Sequence, residues 1–191
     1  MKILNLKSPI FSEFAIVDNE ISNDISDQFD DWHYEKADII CCGIFYQNDI
    51  IILFREKNES LKEYKETLKA NLMKFDCFFA FNRSMEFGNF KGFLGKIYDV
   101  REIKPFKGKG WNKQKFFTEL VFDGKVNIND CPIDPMENDS GECLKAYANG
   151  EYQKIINHNV ADLIKQALIL NHTDYFKEKY KDRLDKNGWY N

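Results

Sequence analysis

Two acidic residues in "FAIVDNEIS", Asp18 and Glu20, stand one residue apart at the end of an apolar run. In a β-strand, residues i and i+2 project to one face, so both carboxylates would point together. Like charges that close are costly unless a cation neutralises them, and Mg2+ or Mn2+ suits such oxygen ligands. Among 31 acidic residues this is the only D-x-E. A plainer reading stands beside it, in which Asp18 ends a strand and Glu20 opens a solvated loop.

Two further segments carry comparable chemistry. In "AFNRSMEFG", Asn82 closes an apolar strand and Glu86 follows on a predicted helix. That junction lies at the carboxyl edge of the sheet, where ligand sites of open α/β folds gather. Asn82 as helix cap and Glu86 as a dipole partner would explain the same residues. In "IINHNVADLIKQALIL", His158 and Asp162 are four apart and share a helix face. Alone, that pair would be weak support for a helix.

The elements that must position these residues are readable from periodicity. "EFAIVDNEI" predicts a buried strand, and "ADIICCGIFY" and "DIIILFRE" predict an antiparallel hairpin about Gln47, Asn48 and Asp49. Leu61, Tyr64, Leu68, Leu72 and Phe75 recur at helical spacing behind Ser60, which with Glu63 matches a capping box. "DCFFAFN" and "KIYDVREI" read as strands, with a helix over "RSMEFGNFKGFLG" between them. Residues 104–115 and "DCPIDPMENDSGE" read as loops. Helices are expected over "QKFFTELVF", "SGECLKAYANG" and "EYQKIINHNVADLIKQALILNH". This order gives an α/β domain with a mixed sheet over residues 1–172, followed by a surface helix or tail over 173–191.

Taken in order, D-x-E on a first strand, N-x-x-x-E after a later strand and H-x-x-x-D in a late helix resemble the three motifs of the DEDD superfamily of 3′–5′ exonucleases. The closest likeness is to the predicted ribonuclease H-like exonuclease branch, whose third motif is Y-N-x-x-D where this chain has "HNVAD". The resemblance spans roughly residues 10–172. It implies a ribonuclease H-like α/β fold with a central mixed five-stranded sheet flanked by helices. It further implies two divalent metal ions, Mg2+ or Mn2+, with Asp18 bridging both, Glu20 and Asp162 completing the first, and Glu86 helping to hold the second. His158 would be the general base. The implied activity is hydrolysis of phosphodiester bonds in DNA or RNA from a 3′ end, by two-metal catalysis. Two departures matter: Met85 and Glu86 stand where the family has an aromatic and Asp, and a histidine takes the tyrosine-type spacing. A catalytically inactive nucleic-acid or protein binding module on the same fold is the alternative.

A substrate path is expected in "KPFKGKGWNKQK", where Lys107, Lys109 and Trp111 combine ammonium groups with a ring on which a base can stack. A solvated loop with Trp111 folded onto the core would have the same composition. With Asn82 these are the candidate substrate contacts. The net charge of −4 disfavours a protein that coats nucleic acid nonspecifically, because such binding draws on many cationic contacts. No apolar run is long enough to span a bilayer, and Lys7 and Glu13 interrupt any leader-like stretch. The five cysteines form no C-x-x-C pair, so they are expected as reduced core thiols in a cytoplasmic protein.

Overall fold

Strands of alternating pattern bury both faces of a mixed sheet, and the helices predicted between them cover it. The computed structural model describes residues 1–22, 37–81, 86, 88, 90, 96–103, 113–137, 139 and 141–180. Four strand elements form one sheet: β1 (Lys2–Ile21), β2 (Ile39–Phe54), β3 (Cys77–Ala80) and β4 (Lys96–Asp99). Their order is β2–β1–β3–β4, with β1 antiparallel to β2 and parallel to β3, and β3 parallel to β4. The α/β class and the mixed sheet follow the expectation. The strand count is corrected, from five separate strands to four elements among the described residues.

The reason lies in two bends. Gln47 adopts φ +55°, and beyond it the chain returns, so that the Arg55 N–H donates to the Ile40 carbonyl at 2.8 Å. The predicted hairpin therefore exists as one continuous strand folded on itself. β1 wraps the tip of that fold. Lys2–Lys7 pair with Asp49–Phe54, and Ile16–Ile21 pair with the first arm of β2. The Asn48 amide fastens the bend by donating to the Ser8 and Ile10 carbonyls at 3.2 and 3.0 Å.

One sheet face packs on α1 (Leu61–Leu72), which buries Tyr64, Leu68 and Leu72 against Val17, Ile44 and Phe78. Ser60 caps α1 by accepting from the Glu63 N–H. The opposite face carries α2 (Lys113–Phe122), α3 (Glu142–Asn149), α4 (Tyr152–Asn171) and α5 (Thr173–Lys179). Gly150 separates α3 from α4 in the left-handed conformation, φ +75°, that glycine adopts without strain. α5 exceeds the expectation of a surface helix. Its Phe176 is fully buried and meets Phe116 edge-on, with ring centroids 5.4 Å apart, so the core continues past residue 172.

Glu86, Gly88 and Phe90 have helical backbone, in keeping with the predicted helix. The candidate substrate contacts Asn82, Lys107, Lys109 and Trp111 lie outside the described residues. All five cysteines are free thiols. No helix among the described residues is long and apolar enough to cross a membrane.

Candidate metal centre

The pleat decides which way the first motif faces. Ile16, Asp18 and Glu20 share the face of β1 that looks toward α4, while Val17 and Asn19 look toward the α1 side. Asp18 pairs with Gly43 of β2, and this glycine lets α4 approach the sheet closely. A Cβ on Gly43 would stand 2.1 Å from Asn159 Oδ1 and 2.4 Å from Leu163 Cδ1. The close approach delivers a polar stripe of α4 onto the two acids. Asn159 Nδ2 donates to Asp18 Oδ2 at 3.0 Å, to the Asp18 carbonyl at 3.1 Å and to Glu20 Oε1 at 3.3 Å. Gln166 Nε2, two turns along, donates to Asp18 Oδ1 at 2.7 Å.

The predicted H-x-x-x-D face meets the D-x-E face here. Asp162 and Asp18 are joined by one cation, the Lys113 ammonium, at 2.5 Å from Asp162 Oδ2 and 3.0 Å from Asp18 Oδ1. Lys113 opens α2, and its charge is strongly favoured: burial works against it, but Asp162 and Asp18 outweigh that and raise its pKa. Lys113 belongs to the segment 104–115 expected as a solvated or substrate-facing loop.

His158 is buried and anchored from behind. Its Nδ1 lies 2.8 Å from Asp134 Oδ1, and its Nε2 lies 3.7 Å from Glu20 Oε1, beyond hydrogen-bond reach. That Nε2 has no hydrogen-bond partner. Asp134 also accepts from the Met136 N–H at 2.9 Å and faces Lys165 Nζ at 3.3 Å. Burial opposes the Asp134 charge, yet these donors hold its carboxyl well below the usual range.

Electrostatics separates the acids. Burial, reinforced by the charge of Asp18, pushes Glu20 up to about 8. Burial likewise raises Asp18, with Lys113 opposing and Asp162 adding to the effect. Burial would raise Asp162 too, but Lys113, His158 and Lys165 hold it below its ordinary value. His158 goes up to about 9, because Asp134 and the Glu20 and Asp162 charges overcome the cost of burying an imidazolium.

Glu86 is brought to the same strand but to its other face. It accepts from the Asn19 N–H at 3.3 Å and from the Asn19 side-chain amide. Burial and the nearby Asp18 charge raise it well above the usual carboxylate range.

The residues fit a divalent cation on two observations. A single cationic atom already touches Asp18 and Asp162 together, and the donor set is mainly carboxylate oxygen, as hard cations prefer. Asp134, His158 and Asp162 also offer ligand atoms within 4.8 Å of one another. Asp18 and Asp162 each keep 8% of their surface exposed, which makes them the rim of the cluster.

Sequence reasoning missed Asp134, Lys113, Asn159, Gln166 and Cys143, whose thiol donates to Glu20 Oε2 at 3.3 Å. A signal existed for two of them. Asn159 and Gln166 sit three before and four after Asp162, on its face of an otherwise apolar helix. For Asp134 and Lys113 the linear sequence offers none, since both arrive from segments that read as loops. A cleft beside α4, about 730 Å³ and lined by Phe11, Phe14, Phe79 and Leu168 among others, contains none of the clustered acids.

No family model, curated protein or solved structure matches the chain.

Proposed function

We propose that the protein is a metal-dependent 3′–5′ exonuclease of ribonuclease H-like fold, acting on phosphodiester bonds of DNA or RNA. The observation that carries this reading is the convergence of Asp18 and Asp162, from two distant segments, on one cation, with Glu20 tied to Asp18 through the shared Asn159 amide. The sheet supports the fold assignment. Counted by arms, 49–54, 39–46, 16–21, β3 and β4 follow one another, antiparallel across the first three and parallel across the last three, and a sixth arm, 2–7, adds to the outer edge beside 49–54.

Asp18, Glu20 and Asp162 would hold the ions, with Glu86 adjacent through Asn19. Two divalent ions, Mg2+ or Mn2+, supply an activated water and charge neutralisation at the leaving 3′ oxygen when bound. The chain's own contributions are distinct. Asn159 and Gln166 fix the Asp18 carboxylate, so its lone pairs are oriented before any cation arrives. Asp134 fixes the imidazole of His158 and leaves Nε2 as the atom that exchanges a proton. Lys113 must release one or both acids as the ions enter, and its ammonium is then free to meet a phosphate oxygen.

Lys113 also favours a second reading. If its ammonium is the permanent occupant, the cluster is a neutralised remnant and the protein is a nucleic-acid or protein binding module. Thermal shift separates the two. A nuclease gains melting temperature from Mn2+ and loses that gain in Asp18→Asn, whereas a binding module keeps its ligand in EDTA and is indifferent to Mn2+.

A further inference from the structure

We propose that Glu20, Cys143 and His158 form a site for a soft divalent cation of the Zn2+ class, beside the hard-cation set of Asp18, Glu20 and Asp162. Their ligand atoms come from β1, α3 and α4 and all lie within 4.8 Å of one another. Cys143 Sγ is 3.3 Å from Glu20 Oε2, and His158 Nε2 is 3.7 Å from Glu20 Oε1. Zn2+ binds thiolate at about 2.3 Å and imidazole at about 2.0 Å, so small side-chain rotations bring the three to one centre.

Three features point to a ligand rather than to a plain hydrogen-bonded cluster. His158 is 1% exposed and its Nε2 has no partner, so a buried nitrogen faces the other two ligands unsatisfied. Its other nitrogen is held by Asp134 at 2.8 Å, the carboxylate–histidine arrangement that orients metal-binding imidazoles. The donor set is mixed: thiolate and imidazole select Zn2+ over Mg2+, while carboxylates alone do the reverse. Three protein ligands leave one coordination position for water. Met136 Sδ, 3.5 Å from Cys143 Sγ, closes the site with an apolar side chain.

The two sets share Glu20. Resting on the nuclease reading, this sharing makes the soft site inhibitory, because a cation there withdraws Glu20 and His158 from the hard-cation centre.

The test is Co2+ titration of the full chain stripped with EDTA. The expected result is a thiolate-to-cobalt charge-transfer band saturating at one ion per chain and erased by Zn2+. Cys143→Ser keeps a hydrogen-bond donor to Glu20 but not the soft ligand, and should abolish the band and weaken Zn2+ binding. Cys131→Ala should keep the band. A wild-type protein without the band, or a Cys143→Ser protein that retains it, overturns the proposal. Zinc K-edge absorption on the wild-type protein requires no variant: one sulfur in the first shell supports the site, and a shell of oxygen and nitrogen alone overturns it. The nuclease reading fails separately. A cobalt band without strand cleavage sinks only the exonuclease, and cleavage in Mg2+ without the band sinks only the soft site.

Discussion

The Lys113 ammonium lies between Asp162 and Asp18, 2.5 Å from one carboxylate and 3.0 Å from the other. A lysine 49 and 95 positions from its partners thus bridges the two acids on which a divalent cation is proposed to sit. Cation binding is therefore an exchange, and the exchange has measurable consequences.

Lys113→Gln removes the cation that joins two close, largely buried carboxylates, leaving Asp162 with Lys165 at 3.4 Å and Asp18 with its amide donors. Removing one partner of a buried pair costs of order 3 kcal/mol, so the metal-free variant should melt below the wild type. Its melting temperature should rise more on adding Mn2+ than the wild type's does, because no ammonium has to be displaced. An equal or smaller Mn2+ response would show that Lys113 does not compete for that position.

Gly43→Ala tests the approach of α4 to the sheet. The added Cβ would overlap Asn159 Oδ1 and Leu163 Cδ1 at 2.1 and 2.4 Å. Overpacking of this kind costs about 1–3 kcal/mol. Chemical denaturation should show that loss, with Mn2+ stabilisation weakened alongside. A variant as stable as the wild type would mean that α4 docks differently.

Glu20 and His158 make the metal-free protein sensitive to alkali. Glu20 binds its proton more tightly folded, at about 8, than at its ordinary 4.5, so folding stability falls as pH rises from 4.5 to 8 and then levels. His158 goes from 6.5 to about 9, so the stability of its cationic form is complete below 6.5 and lost as pH climbs through 9. Melting temperature in EDTA should therefore decline between pH 5 and 9. With saturating Mn2+ the decline should flatten or reverse, because the ions favour the ionised carboxylate. A flat profile in EDTA would contradict the buried position of Glu20.

Asp134→Asn tests positioning of the imidazole. Asn can still bond Nδ1 but no longer favours the imidazolium, so the pH dependence of cleavage should shift to lower pH. The fall should lie in kcat, by about 10- to 100-fold, with KM little changed. A change confined to KM would place Asp134 in substrate binding instead.

Much of this arrangement was legible in the chain. Period-two and helical spacings predicted which residues share a face of β1 and of α4, while the meeting of Asp18 and Glu20 with His158 and Asp162 was implied only by the resemblance in motif order. The bends were not legible. The turn signal at Gln47–Asp49 predicted a hairpin, but nothing local indicated that residues 2–21 wrap its tip as one strand. Asp134 and Lys113 escaped because their partners lie 24 and 95 residues away, and charged residues in loop-like sequence read as solvated. Phe176 escaped for a similar reason: Tyr175, Phe176 and Tyr180 stand in so charged a segment that they give too little periodicity to announce burial.

The central claim is cleavage at a metal centre built on Asp18. The most direct measurement uses a 5′-labelled single-stranded oligonucleotide, as DNA and as RNA, with Mn2+ or Mg2+, and with EDTA or Asp18→Asn as controls. A metal-dependent ladder should shorten from the 3′ end and disappear in both controls. Full-length substrate in every lane, with either metal, would contradict that claim and leave the acids as the neutralised core of a binding module.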